Sequence, residues 1–305
     1  MKKLKIKRKY IFLGETDSIN IELITKSFNF LRNKVNYILI CNKKDLVKNI
    51  YFKRSNIKIN EILDPINFIN YKKNKLNIFN IEDISKQKYL NLLNQIEISN
   101  NIANSTEFDL ITMPINKFVF KKKIKFIGMT EYLGSLNQSP TLMLMYGEKF
   151  SIIPMTTHIN LKNISKYINS KLINNFLENI LNNIKDPKYA LNFKNIKFLC
   201  YNPHCGEAGT LGNEDILIKR ALNKHGIIDG PYSGDSAFMK IKKNTLFLST
   251  YHDQALIPFK ILNKKSINMT LGLKYRRLSP AHGTAKEIKG KNLADNKSYL
   301  ACLLI

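Results

Sequence analysis

Short apolar runs of strand length punctuate the chain at residues 10–13, 37–41, 110–112, 151–155, 196–200 and 246–250. Each is bounded by polar or turn-forming residues, the pattern of strands buried on both faces. Between several of them, apolar residues return every three or four positions, at residues 21–31, 164–184 and 213–224. That spacing predicts amphipathic helices. The last of the three opens on Asn213-Glu214-Asp215, a capping residue followed by acidic side chains that suit a helix N-terminus. Residues 50–101 are rich in Lys and Asn and only weakly periodic, which predicts irregular chain with one helix near 86–98. Buried strands alternating with amphipathic helices specify an α/β protein with a parallel or mixed sheet. Nothing repeats internally.

The chain has 305 residues, 44% of them hydrophobic, enough for a sizeable core or for two lobes. No apolar stretch approaches the ~18 residues of a membrane span. The basic start, Met1 to Arg8, runs into too short an apolar stretch for a signal peptide. Four cysteines without CxxC spacing argue against a disulfide framework and for a reducing, cytoplasmic setting. A formal charge of +26 would attract nucleic acid or an anionic membrane. The lysines are nevertheless spread along the whole chain among Asn and Ile, with no long basic block, aromatic RNA-binding word or zinc-finger spacing. The charge therefore reads as compositional bias, and no specific nucleic-acid partner is expected.

Four of the five histidines sit in short polar words: Thr156-Thr157-His158, Asn202-Pro203-His204-Cys205-Gly206-Glu207, Tyr251-His252-Asp253-Gln254 and His282-Gly283-Thr284. A histidine in a turn can serve as nothing more than a cap, but neutral imidazole is also the commonest metal ligand. His204 and His252 each follow a predicted strand, and ligands of open α/β sheets bind beyond the carboxyl ends of strands. His225, in Asn223-Lys224-His225-Gly226, reads as a helix-end residue.

Several of these words resemble those of the 4-hydroxythreonine-4-phosphate dehydrogenase family of vitamin B6 biosynthesis. The resemblance rests on residues 202–212, on Tyr251-His252-Asp253-Gln254 with Pro258 and Lys260, on Asn268-Met269-Thr270-Leu271-Gly272-Leu273, on Arg277 and on His282-Gly283-Thr284-Ala285. Thr156-Thr157-His158 and Thr130-Glu131 fit as well. The likeness is strong from residue 108 to 295 and faint before that.

It implies a divalent metal, zinc foremost with magnesium or cobalt as alternatives, held by His158, His204 and His252. It implies substrate contacts from Thr130, Lys260, Asn268 and Arg277, with Asp235 and Lys260 in catalytic roles. It also implies NAD or NADP, with no residue assigned to it, and a homodimer whose active sites lie at the interface. No Gly-x-Gly-x-x-Gly follows the first strand, so a standard Rossmann site is not expected. The family likeness implies instead an isocitrate/isopropylmalate dehydrogenase-like α/β/α fold in two lobes, residues 1–128 with 268–305 and residues 129–267, around an active-site cleft.

The implied reaction is oxidation of 4-phosphooxy-L-threonine at the 3-hydroxyl, then decarboxylation to 3-amino-2-oxopropyl phosphate. A related dehydrogenase acting on another phosphorylated hydroxy acid, or a catalytically impaired metal-binding relative, are the alternatives. Three departures bear on that choice. The family's N-terminal Gly-Asp/Glu-Pro-x-Gly-Ile-Gly-Pro-Glu survives only in part, in Gly14-Glu15-Thr16-Asp17-Ser18-Ile19-Asn20-Ile21-Glu22; Met129 stands where the family has a substrate-binding His; and Ala281 replaces an Asp. The end at Ile305 reads as short of a full final helix.

Overall fold

The computed structural model describes residues 8–305, so the basic segment before Arg8 lies outside the described residues. Twelve strands follow in chain order: β1 (Arg8–Phe12), β2 (Asn36–Cys41), β3 (Ile59–Glu61), β4 (Leu76–Asn80), β5 (Asp109–Thr112), β6 (Leu142–Gly147), β7 (Ser151–Pro154), β8 (Asn195–Leu199), β9 (Ile228–Tyr232), β10 (Thr245–Ser249), β11 (Ser266–Leu271) and β12 (Arg277–Pro280). All six apolar runs in the sequence are strands, and the mixed α/β class is as expected. The chain divides into two compact units, one of residues up to Gln138 with Leu273–Ile305, the other Ser139–Gly272.

In the first unit the order is β3-β4-β2-β1-β5-β12, and every neighbouring pair is parallel. Parallel strands covered on both faces carry apolar runs rather than an alternation, and β1 and β2 show it: Tyr10 to Phe12 and Tyr37 to Cys41 are all buried. Their inner side chains join Ile96, Ala103 and Leu133 from the helices Lys88–Thr106 and Met129–Leu136 in one apolar core. A buried ionic group sits within this unit. Lys9, fully enclosed, places Nζ 2.8 Å from Asp109, whose carboxylate also takes two hydrogen bonds from Arg276 at 3.0 and 2.6 Å.

In the second unit the order is β11-β6-β7-β10-β8-β9. Here β6 runs antiparallel to both neighbours, whereas β7, β10, β8 and β9 are mutually parallel. The carboxyl ends of β7, β10 and β8 therefore lie side by side. The predicted helix at 164–184 is two helices, Ile164–Tyr167 and Ser170–Ile184. Asn169 breaks it by accepting the Leu172 N–H at 2.9 Å, as an N-cap does. Beyond that cap, Ile173, Phe176, Leu177 and Ile180 form the buried stripe.

The stretch expected to be irregular holds β3, β4 and the helix Ile50–Arg54, and its predicted helix extends over Lys88–Thr106. Side-chain hydrogen bonds explain the difference. Buried Asn77 accepts the Lys72 N–H and donates to the carbonyls of Lys72 and Lys75, closing the turn that leads into β4. Among the described residues no helix is long and apolar enough to cross a membrane.

Candidate functional site

Three of the histidine words occupy the adjacent strand ends of the second unit. Past β7, Met155 and Thr156 donate their N–H groups to Ser249 and Thr250 at 2.7 and 3.1 Å, extending the pairing with β10 towards His158. His252 begins the helix His252–Leu262 directly after β10. Two residues on, Gln254 accepts from the N–H and hydroxyl of Thr250, both at 2.9 Å, and donates to the Cys200 carbonyl at 2.7 Å. One amide thus fixes the end of β10 to the end of β8.

The structure brings His158 and His252 together, with ring centroids 5.8 Å apart. They line a cavity of about 210 Å³ with Tyr251 and Asp253. Asp253 sits 2.8 Å from Nδ1 of His252. An ionised carboxylate can only accept there, so it holds the proton on Nδ1 and leaves Nε2 as the lone-pair nitrogen. A carboxylate behind an imidazole is the usual support of a metal-ligating histidine.

His204 opens into an adjoining cavity of about 610 Å³, lined also by Asp235, Tyr251, Asp253 and Gln254. The backbone there is unusual: φ is positive at five successive residues, His204 (50°), Cys205 (57°), Gly206 (77°), Glu207 (44°) and Ala208 (56°). Left-handed turns cost roughly 1–2 kcal/mol per non-glycine residue, so this segment persists only because its surroundings hold it. Asp235 is exposed; a hydrogen bond from Ser233, with His204 nearby, holds its carboxyl below the usual carboxylate range. It is therefore ionised at neutral pH and able to accept a proton or face an ammonium group.

No group of three His, Cys, Asp or Glu side chains among the described residues is placed to hold a metal ion. The donor chemistry nevertheless fits a divalent metal at His158 and His252: two facing imidazoles, one of them backed by a carboxylate. Asn213 makes no side-chain cap on the helix Glu214–Leu222, contrary to the expectation for that segment. Its neighbour Asp215 turns back towards the His204 loop instead.

Lys260 lies exposed near the end of the helix that starts at His252 and forms no hydrogen bond or ion pair among the described residues. Asn268, in β11, has its Oδ1 enclosed without a hydrogen-bond partner. An enclosed carbonyl oxygen left unpaired costs about 1–3 kcal/mol and is an acceptor available to a bound molecule.

In the first unit, Arg277 begins β12 fully enclosed, with Nε donating to Thr112 Oγ1 at 2.8 Å and Nη1 to Thr130 Oγ1 at 3.4 Å. Burial pulls its pKa down to about 10, so it stays charged at neutral pH. Thr130 stands in the first turn of Met129–Leu136, while Met129 is buried in the apolar core. His282 has an enclosed Nε2 without a hydrogen-bond partner, and burial lowers its pKa. The remnant of the N-terminal word meets this histidine's loop. Ile19 donates to the Thr284 carbonyl at 3.2 Å, and Asp17 pairs with Lys286 and Lys289 at 2.9 and 2.5 Å. The Lys289 hydrogen bond, then that of Lys286, holds Asp17 near a pKa of about 2. The sequence assigns no site role to Gln254, Asp253 or Asp215: the first two appear there only as members of the His252 word, and Asp215 only as an acidic residue at a helix start.

The profile of the family described as pyridoxal phosphate biosynthetic protein PdxA matches residues 33–305. A 4-hydroxythreonine-4-phosphate dehydrogenase of Aquifex aeolicus is 34% identical over 319 residues, covering 96% of this chain and 95% of its own. One from Hydrogenobaculum sp. is 42% identical over 201 residues, which spans 64% of each chain. Among solved structures, a 4-hydroxythreonine-4-phosphate dehydrogenase from Klebsiella pneumoniae superposes with a TM-score of 0.78 at 24% identity, covering 98% of this chain and 97% of that one. An isocitrate dehydrogenase from Methylococcus capsulatus gives a TM-score of 0.51 at 8% identity over 97% of this chain and 84% of that one, a likeness of fold. With its sheet order, its strand-end histidines and a match over nearly its whole length, the chain belongs to the PdxA family of pyridoxal phosphate biosynthetic proteins.

Proposed function

We propose that this chain oxidises 4-phosphooxy-L-threonine at its 3-hydroxyl with NAD or NADP, the β-keto acid then losing carbon dioxide to give 3-amino-2-oxopropyl phosphate. The observation that carries the reading is the convergence of His158 and His252, one of them backed by Asp253, at the carboxyl ends of parallel strands. When bound, a divalent metal supplies a Lewis acid that eases loss of the hydroxyl proton, and the nicotinamide supplies a hydride acceptor. His158, His204 and His252 are the ligands in this proposal. Two imidazoles from one chain support completion of the set between two copies, as a homodimer in the cytoplasm.

The remaining roles belong to the chain's own side chains. Asp235, ionised beside His204, accepts the hydroxyl proton or holds the substrate ammonium. Lys260 is a catalytic and substrate-contacting cation, and its exposure leaves it able to reach a bound anion. Asn268 directs an unsatisfied oxygen at the substrate. Arg277 offers a planar fork suited to phosphate oxygens, set in place by Thr112 and Thr130.

A second reading, oxidation of another phosphorylated hydroxy acid, is favoured by Met129, whose side chain is committed to the core where relatives of this pattern carry a substrate-binding histidine. The test is formation of reduced nicotinamide from 4-phosphooxy-threonine, with and without added zinc, cobalt or magnesium. Metal-dependent turnover supports the first reading. Turnover only with a different phosphorylated hydroxy acid supports the second, and none with either class defeats both.

A further inference from the structure

We propose that Asp215 is a positioning residue that sets the direction of His204 by holding the base of its left-handed loop. The inference rests on the reading of His204 as a metal ligand. Asp215 is almost completely buried, 2% exposed, although it sits in the first turn of a helix, where a carboxylate ordinarily faces solvent. Its oxygens accept from outside that helix: from the Tyr201 N–H at 2.6 Å, the Asn202 N–H at 2.9 Å and the Asn202 side-chain amide at 3.0 Å. Glu214 accepts from the same amide at 3.0 Å.

These donors are the last two backbone N–H groups before His204, because Pro203 between them has none. Beyond Pro203 the chain enters the five left-handed residues, of which only Gly206 adopts that conformation without steric cost. Gly206 returns against the same carboxylate: a Cβ built there would lie 3.3 Å from Asp215 Oδ2 and 3.2 Å from the Gly212 carbonyl. One buried anion therefore clamps the entry to the loop and abuts its midpoint. With the Cys200 carbonyl held by Gln254, the whole approach to His204 is fixed by side chains. Backbone N–H groups bonded to a charged acceptor are the stronger class of hydrogen bond, which suits a segment that must be kept strained.

Cys205 is a built-in reporter. It follows His204 in the same loop and is half-buried, whereas Cys41, Cys200 and Cys302 are buried. Asp215→Asn keeps the volume but turns an NH₂ towards donors. In the folded, metal-free protein this variant should raise the maleimide labelling rate of Cys205, located by mass spectrometry, by about tenfold. Cobalt(II) titration followed by visible absorption should weaken by roughly 10–100-fold, the usual loss when a ligand's support is removed. Thermal unfolding should remain a single transition. A folded Asp215→Asn with unchanged Cys205 labelling and unchanged cobalt affinity overturns the proposal.

If the wild type binds no cobalt, the metal reading of His204 fails, and the labelling comparison alone decides whether Asp215 holds the loop. If Asp215→Asn does not fold, Asn202→Ala, which removes only the side-chain bonds to Asp215 and Glu214, decides by the same two measurements. It should show a smaller, severalfold change in each, and no change in either would sink the idea.

Discussion

His158 and His252 face each other with ring centroids 5.8 Å apart, each placed by a different strand of one parallel set. If the pair holds a metal, His158→Ala and His252→Ala should each abolish measurable cobalt or zinc binding while leaving the melting temperature of the metal-free protein within a few degrees. Asp253→Asn keeps the ring contact but loses the charge behind it. It should weaken binding by roughly 10–100-fold, as loss of an outer-shell partner does. Isothermal titration of the three variants checks the ranking. Equal affinity in Asp253→Asn and wild type would remove the carboxylate from the site.

The Arg277 fork gives a second expectation. Thr112 Oγ1 accepts from Nε, and Thr130 Oγ1 lies within reach of Nη1. Arg277→Lys keeps one charge and loses the planar arrangement. Hydrogen bonds to charged groups contribute about 1.5–3 kcal/mol, so the KM for the phosphorylated substrate should rise by roughly tenfold or more, with kcat less affected. Steady-state kinetics of that variant, beside Thr130→Ala as a milder case, provide the check.

What the sequence made legible follows from which interactions leave a periodic trace. The buried strands are readable because parallel strands covered on both faces carry unbroken apolar runs, as at residues 10–12 of β1 and 37–41 of β2. The histidine words were readable because polar residues at strand ends break that pattern. β3 and β4 were hidden because Asn77 satisfies a turn through its side chain, and a lysine- and asparagine-rich stretch looks the same whether or not such bonds form. The split at Asn169 was hidden because the apolar spacing continues across it. Asp215 read as a helix-start residue, since local pattern cannot show that its partners lie in a preceding loop. Nothing in the spacing of His158, His204 and His252 distinguishes the pair that meets from the third, because the sheet sets β7 and β8 on either side of β10 and the loops beyond the strand ends decide which rings approach.

The buried charges of the first unit give an expectation for stability against pH. Burial alone would raise the Asp109 pKa, but hydrogen bonding from Arg276 and the charges of Lys9 and Arg276 outweigh it and leave the carboxyl below its usual range. A folded pKa below the unfolded value, about 3.9 for Asp, means a contribution fully present above pH ~4 and lost as pH falls through the lowered folded pKa. Asp109→Asn removes the carboxylate that Lys9 and Arg276 share and leaves them the Cys302 and Ile305 oxygens, so it should cost up to roughly 3–5 kcal/mol at pH 7. The gap from wild type should shrink on acidification. Urea unfolding of both proteins at pH 7 and pH 3 measures it, and a gap that widens at low pH would contradict the assignment.

Three glycines of the same unit separate backbone angle from crowding. Gly14, at φ +70°, carries the remnant of the N-terminal word, and a Cβ there would lie 2.7 Å from both the Met113 and Pro114 carbonyl oxygens. Both are backbone atoms of the chain leaving β5, so they cannot swing aside as a flexible side chain would. Gly290, at φ +86°, has open space around it, and Gly283 has open space and no left-handed angle. Substitution by Ala should therefore be near neutral at Gly283, or stabilising by up to about 1 kcal/mol through the unfolded chain. At Gly290 it should cost about 1–2 kcal/mol from the left-handed angle alone. Gly14→Ala should cost clearly more than either, and because Asp17 and Ile19 follow that turn, it should also loosen their contacts with Lys286, Lys289 and Thr284. Urea midpoints of the three variants give the ranking, and hydrogen exchange at the Ile19 amide reads the loosening directly. Gly14→Ala no less stable than Gly290→Ala would show that the turn relaxes freely and that the word it carries does not depend on glycine.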